Sequence, residues 1–357
     1  MKTILIDSSA AMAVGDKVIG FDSLSGCFFE LSLANNEIVF FEDFFIGNDK
    51  ECFGYPYLYE NQIYFPPCNS KKIITISDEM AQYEISSYSS IPHRFSNIYI
   101  QENKAFLLPG CGRGIVLFNL KTGKEKKISA WITDYEKKAF MGKIPSMYGK
   151  SRYGSYLILD NEMLFPLLHA SMLLKINIKT LETELIEIIG GDSTGLLAVY
   201  GNKEHQFVLT RTTKELVKIK NNKIINRYKL SMDGTCPGRS LMCGEKIFVL
   251  GRDKAILTCF DIKLEKETEI QLPEIAGATG KVDFGSFIRI NNGFLITENN
   301  TGKIIIGKVE NGQYDVREIH PTIREDSVIK ILCKKMQKNQ IVEENELFTL
   351  ERFIQTI

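Results

Sequence analysis

Seven times along this chain a short, almost uninterrupted apolar stretch returns between small-residue turns. The seven are Lys17-Val-Ile-Gly-Phe-Asp22, Gln62-Ile-Tyr-Phe-Pro66, Lys104-Ala-Phe-Leu-Leu-Pro109, Glu162-Met-Leu-Phe-Pro166, Gln206-Phe-Val-Leu-Thr210, Lys246-Ile-Phe-Val-Leu250 and Gly293-Phe-Leu-Ile-Thr297. The equivalent positions 18, 63, 105, 163, 207, 247 and 294 are separated by 45, 42, 58, 44, 40 and 47 residues, so the one long step reads as an insertion and not a lost repeat. By length alone, 357 residues suggest two or three domains. A repeat overrides that prior, because one repeated architecture can absorb the whole chain.

Each unit has room for four short strands. A first strand precedes each apolar stretch, often behind a glycine, as in Phe53-Gly-Tyr-Pro-Tyr-Leu-Tyr59, Pro237-Gly-Arg-Ser-Leu-Met242 and Phe284-Gly-Ser-Phe-Ile-Arg-Ile290. Glycine there suits backbones that converge on a crowded centre. Third strands follow, among them Cys27–Leu33, Ile115–Leu120 and Met172–Ile178. The fourth are polar and alternating, as in Glu182-Thr-Glu-Leu-Ile-Glu-Ile188 and Lys266-Glu-Thr-Glu-Ile-Gln-Leu272. Middle strands covered on both faces read as apolar runs, whereas a rim strand meeting water alternates. A period near 40–45 with four strands is that of a propeller blade. The sequence therefore predicts an all-β, seven-bladed β-propeller of four-stranded antiparallel blades over residues 1–320. No blade buries both faces alone, so stability comes from the assembled repeat.

Three segments stand outside the repeat. Lys2–Ile6 is one strand more than seven units need, expected at the outer edge of the last blade. Residues 130–150, with the single tryptophan Trp131, form the insertion. Residues 321–357 are expected as a helical extension packed on the propeller: Ser327–Lys338 places Val328, Ile331, Leu332 and Met336 on one helical face, and Thr349–Ile357 begins a second short helix.

The outer turns Phe118-Asn-Leu-Lys-Thr-Gly-Lys124, Ile176-Asn-Ile-Lys-Thr180 and Phe260-Asp-Ile-Lys263 resemble those of the WD40-like, YVTN-type and quinoprotein-like propellers, over residues 10 to 319. The resemblance implies the fold and no single function, since that superfamily includes scaffolds, binding proteins and enzymes. The chain lacks the Trp-Asp dipeptide, the Gly-Gly pair of kelch repeats, the Asp-box and the tryptophan pattern of quinone-binding blades, so no cofactor is implied.

A formal net charge of zero argues against binding nucleic acid through bulk charge. No run approaches a membrane span, and the amino-terminal apolar run is too short for a signal peptide. The eight cysteines are scattered without a metal-ligand spacing, which points to free thiols, no metal and a cytoplasmic location. His93 and His169 fall in loops on one expected face; His205 and His320 do not join them. Pro109-Gly-Cys-Gly-Arg-Gly114 lacks the following lysine and helix of a phosphate-binding loop and reads as a tight turn.

Arginine supplies the sharper signal. Arg94, Arg113, Arg152, Arg211, Arg239 and Arg252, six of the chain's eleven arginines, fall in loops that share one face, whereas lysine is not enriched there. A guanidinium fork suits carboxylate or phosphate. The alternative is pairing with Asp192, Asp233, Asp253 and Asp283. Arg94, Arg152 and Arg239 precede or begin inner strands and should approach the mouth, with Arg113, Arg211 and Arg252 farther out. Tyr153, Phe95 and Phe284 would add stacking surface or belong to the core. The resulting expectation is a non-enzymatic binding or scaffold propeller. It would recognise a protein partner or an anionic ligand (glycan, peptide or small molecule) at the arginine-bearing face. The alternative is a lyase or hydrolase acting on an anionic glycan, with His93 or His169 as general acid–base.

Overall fold

The computed structural model describes residues 10–22, 25–43, 53–68, 72–77, 81–84, 95–109, 114–134, 155–167, 170–188, 195–232, 235–252, 254–273, 282, 284–299, 302–310 and 313–337. Of residues 42–43, 81–84, 109, 310 and 332–337 it describes the backbone alone.

Seven sheets of antiparallel strands account for most of them. Sheet one holds β1 (Ala10–Val14), β2 (Lys17–Asp22), β3 (Cys27–Ser32) and β4 (Glu37–Asp43), and sheet two β5 (Tyr57–Tyr59), β6 (Gln62–Phe65), β7 (Lys72–Ile76) and β8 (Ala81–Glu84). Sheet three holds β9 (Phe95–Gln101), β10 (Lys104–Pro109), β11 (Ile115–Asn119) and β12 (Glu125–Ile128). Sheet four holds β13 (Leu157–Leu159), β14 (Glu162–Pro166), β15 (Met172–Asn177) and β16 (Thr183–Glu187). Sheet five is β17 (Leu196–Gly201), β18 (Gln206–Thr210), β19 (Glu215–Lys220) and β20 (Lys223–Lys229), and sheet six β21 (Pro237–Cys243), β22 (Lys246–Gly251), β23 (Ile256–Asp261) and β24 (Lys266–Gln271). Sheet seven is β25 (Phe284–Ile290), β26 (Gly293–Glu298), β27 (Ile304–Glu310) and β28 (Gln313–Ile319). The strands of each sheet follow one another in chain order. These are the blades of a seven-bladed β-propeller, and every repeated apolar stretch is a second strand.

Burial follows the gradient expected of stacked sheets. In sheet six, β22 buries every side chain after Lys246, whereas β24 buries only Ile270. A strand packed on both faces must be apolar throughout; a strand with one wet side needs only alternate apolar residues.

The chain divides into two compact units, Met1–Gln101 with Gln271–Ile357, and Glu102–Ile270. In the first unit, sheets one and seven share a core of Ala11, Val18, Phe29, Leu31, Ile288, Leu295 and Ile306. Sheets one and two meet through Phe21, Phe28, Phe53 and Phe65, with Phe28 and Phe65 4.9 Å apart edge to face. Beyond sheet seven, β29 (Thr322–Ile323) pairs in parallel with β4, Thr322 opposite Glu37 and Ile323 opposite Ile38. Helix α1 (Glu325–Gln337) follows, with Glu325 and Asp326 in its first turn, where acids oppose the positive end of the helix dipole. Val328 packs on Phe40 and Ile323, and the Ser327 hydroxyl accepts the Phe40 N–H at 3.2 Å. The strand β29 on sheet one is a feature the sequence reading missed. The expected strand Lys2–Ile6 and helix Thr349–Ile357 lie outside the described residues.

In the second unit, sheets four and five bury Leu164, Leu173, Ile186, Val199, Val208 and Ile219 together. Sheets five and six are tied at their first strands, where the Tyr200 hydroxyl donates to Ser240 Oγ at 2.8 Å. They are tied again farther out by Lys218 and Glu265 at 2.7 Å, and by Tyr228 against Phe260 at 4.9 Å. Burial of the Tyr228 phenol, with the Glu265 carboxylate beside it, pushes its pKa up to about 12. A phenol whose folded pKa is raised favours the folded state below the ordinary value of about 10, and this contribution is lost as pH rises through the folded value. Absorbance titration should therefore show a tyrosine ionising near pH 12 that vanishes in Tyr228→Phe. An unchanged titration curve in that variant would remove the phenol from this junction.

Candidate functional site

Sheets five and six turn from second to third strand through the same corner. After β18, the Arg211 N–H donates to the Gly195 carbonyl at 3.0 Å; after β22, the Arg252 N–H donates to the Cys236 carbonyl at 2.8 Å. Gly195 holds φ +64°, a conformation glycine adopts without strain. Arg211 and Arg252 thus occupy equivalent positions in consecutive blades. Thr210, fully buried, locks the first corner: its Oγ1 accepts the Glu215 N–H at 2.8 Å and lies 2.8 Å from Thr213 Oγ1. The Glu215 carboxylate is engaged by Thr213 at 3.1 Å and approached by Arg227 at 3.8 Å. Among the described residues, no carboxylate forms an ion pair with Arg211 or Arg252.

Arg239 reaches the same end of sheet six from the first strand. Register shifts between Pro237 and Arg239, so that Arg239 stands opposite Leu250, two residues before Arg252. Such a bulge re-aims the side chains of its strand. Gly238 permits the arrangement, since a Cβ there would lie 2.9 Å from the Arg252 Cα. Arg211 and Arg239 are half-buried and Arg252 is exposed. The second-strand ends, the bulge and the glycine contact therefore bring Arg239 and Arg252 to one corner, with Arg211 on the equivalent corner of the neighbouring sheet. Neither the bulge nor the Gly238 contact was read from the sequence, although Pro-Gly-Arg at the strand start was the available signal.

The other predicted positions, Arg94, Arg113, Arg152, Tyr153, His93 and His169, lie outside the described residues, as do the competing carboxylates Asp192, Asp233, Asp253 and Asp283. Phe95 and Phe284 are buried at 4% and 5% exposure, so they are core residues and offer no stacking surface. His205 sits in the β17–β18 turn, at the end of its sheet opposite Arg211, with its backbone N–H on Asn202 Oδ1. His320 is exposed, 3.7 Å from Glu318. Among the described residues, no group of three or more His, Cys, Asp or Glu side chains is placed to hold a metal. Nor is any helix there long and apolar enough to cross a membrane.

No protein-family model matches this chain, and no curated protein matches it in sequence. Its likeness to solved structures is extensive. Virginiamycin B lyase from Staphylococcus aureus superposes with a TM-score of 0.62 at 11% identity, covering 85% of this chain and 97% of that one. The β-propeller domain of Myceliophteria thermophila Cps50 (Swd1) gives 0.59 at 9% identity, covering 85% and 96%. Kluyveromyces lactis Hsv2 gives 0.54 at 9%, covering 88% and 98%. Identities this low speak for fold alone, that of a seven-bladed β-propeller. One of these neighbours is a lyase, so the fold by itself does not divide binding from catalysis.

Proposed function

We propose that this propeller is a non-enzymatic binding or scaffold module that recognises an anionic group, borne by a protein partner or by a glycan, peptide or small molecule, at its arginine-bearing face. The observation that supports this most is the repeated corner. Arg211 and Arg252 take equivalent places on bonded turns with no ion pair among the described residues, and Arg239 reaches the second corner from the first strand. A structural arginine ordinarily consumes a nearby carboxylate. Arg211 and Arg252, set on fixed turns without an ion pair among the described residues, are preorganised for an incoming one, and charge-assisted bonds to their forks contribute about 1.5–3 kcal/mol each.

The test compares wild type with Arg211→Lys/Arg239→Lys/Arg252→Lys, by calorimetric titration with a hexaglutamate peptide and a heparin hexasaccharide. Lysine keeps the charge and loses the planar fork. Binding of either probe should weaken at least about tenfold, with an unchanged melting temperature. Equal binding by the variant, or no binding by the wild type, would remove the face as an anion site. The lyase or hydrolase alternative rests on His93 and His169. Turnover of an anionic glycan that disappears in His93→Ala or His169→Ala would favour it.

A further inference from the structure

The outer hairpin of sheet five differs from its neighbours. Residues 215–229 carry the cations Lys218, Lys220, Lys223, Arg227 and Lys229 against a single carboxylate, Glu215. The corresponding hairpin of sheet four sets Lys175 and Lys179 against Glu182, Glu184 and Glu187. That of sheet six sets Lys263 and Lys266 against Asp261, Glu265, Glu267 and Glu269. A basic hairpin thus stands between two acidic ones. Lys218 is taken by Glu265, and Arg227 lies near Glu215. Lys220, Lys223 and Lys229 make no ion pair among the described residues.

Lysines on an outer strand ordinarily discourage unwanted pairing of its free edge. That does not explain β20, which is exposed at every position except Tyr228 and presents Ile224 and Ile225 at 36% and 55% exposure. The outer strands β16 and β24 each turn an isoleucine, Ile186 or Ile270, inward. In β20, Asn226 stands opposite Lys218 and Ile224 opposite Ile219, leaving Ile225 unpaired on a bulge. The bulge interrupts the edge, so a partner cannot simply add a strand along its length.

Beside this hairpin a groove of about 560 Å³ opens between sheets four and five, past the Asn221–Asn222 turn. Leu159 and Leu164 contribute its apolar surface and the amides of Asn161, Asn221 and Asn222 line it, while Gln206, also in its wall, spends its Nε2 on the Asn202 and Lys203 carbonyls. Its charges are matched, Lys175 with Glu162 at 2.8 Å and Lys203 with Asp160. Ile219 belongs to the core shared with sheet four, and directly opposed residues project to one side of a sheet. Ile224, opposite Ile219, therefore lies on the groove side, as does Lys229 opposite Glu215. Lys220 and Lys223 oppose one another on the other face of the hairpin tip, so a segment bound there must straddle the tip.

We propose that the β19–β20 hairpin and the adjoining groove form a docking surface for an acidic, apolar-containing segment of a partner protein. The surplus cations call for carboxylates, the two isoleucines for apolar side chains, and the neutral amide groove for the alternating donors and acceptors of a peptide backbone. An anionic membrane would meet the first two and leave the amide groove unused. The groove, Lys220 and Lys223 stand at the end of sheet five away from the arginine corners, whereas Lys229, opposite Glu215, stands toward the Arg211 end.

Anisotropy of a fluorescein-labelled peptide alternating glutamate and leucine, titrated with the full chain, tests the proposal. Wild type should bind, more weakly as salt rises. Lys220→Glu/Lys223→Glu/Lys229→Glu should weaken binding about tenfold or more, as should the neutral triple serine variant if charge reversal impairs folding. Ile225→Asn should weaken it severalfold, and all these comparisons are made in the Arg211→Lys/Arg239→Lys/Arg252→Lys background, so that binding of carboxylates at the arginine corners does not contribute. Absence of wild-type binding, indifference to the lysine substitutions, or equal binding of leucine-free polyglutamate would overturn the proposal. So would association with phosphatidylserine vesicles without association with the peptide.

Discussion

Replacing Phe248 by aspartate is expected to leave no soluble, folded protein. Phe248 lies in the middle of β22 with no exposed surface, paired across to Leu241 and Cys259. Truncating such a phenylalanine costs about 3–5 kcal/mol. Aspartate adds an unpaired charge in the same enclosed position, for several kcal/mol more, roughly. The sum rivals the entire stability of a typical domain, about 5–15 kcal/mol. Expression with sedimentation of the lysate checks it, with Phe248→Leu as the control that should fold. A soluble Phe248→Asp protein melting at the wild-type temperature would show β22 to be wrongly placed.

Gly54→Val should produce the next largest loss. Gly54 donates to the Pro66 carbonyl at 2.9 Å, and Tyr55 beside it donates to the Ser96 carbonyl at 2.7 Å, in a parallel bridge to Asn97. A Cβ at position 54 would be driven into the carbonyls of Phe95 and Ser96. Overpacking commonly costs about 1–3 kcal/mol. Here the obstacle is backbone, which cannot rotate aside, so the upper end applies. The melting temperature should fall by roughly 5–10 °C, with a smaller fall for Gly54→Ala. Calorimetry that finds no change would separate the two strands at this point.

Glycine before the first strands was read as a sign of converging backbones, and Gly54 shows the convergence directly. The second strands were equally legible: Lys17–Asp22, Lys104–Pro109, Glu162–Pro166 and Gln206–Thr210 begin and end where the apolar runs do. Covered on two faces, such a strand has no polar position to blur its pattern. Outer strands were legible as a class, yet the exposure of Ile224 and Ile225 was not, because an alternating sequence does not say which side its bulge will turn outward.

The site divides in the same way. That arginine recurs in loops expected on one face could be counted from the sequence, and of those six positions Arg211, Arg239 and Arg252 are among the described residues. That Arg211 and Arg252 hold identical corners, and that Arg239 joins Arg252 through a bulge and a glycine, depends on strand register. Phe95 and Phe284 were open to two readings, and burial decided for the core. Residues after His320 gave a helical period, and α1 formed. Only the fold revealed that Thr322–Ile323 first adds a strand to β4, some 284 residues away along the chain by the Asn36–His320 hydrogen bond that precedes it. Local period and composition determine which segments become strands, because burial on two faces selects apolar runs. Register, bulges and the pairing of distant edges are settled by packing between segments, which no single stretch of sequence contains.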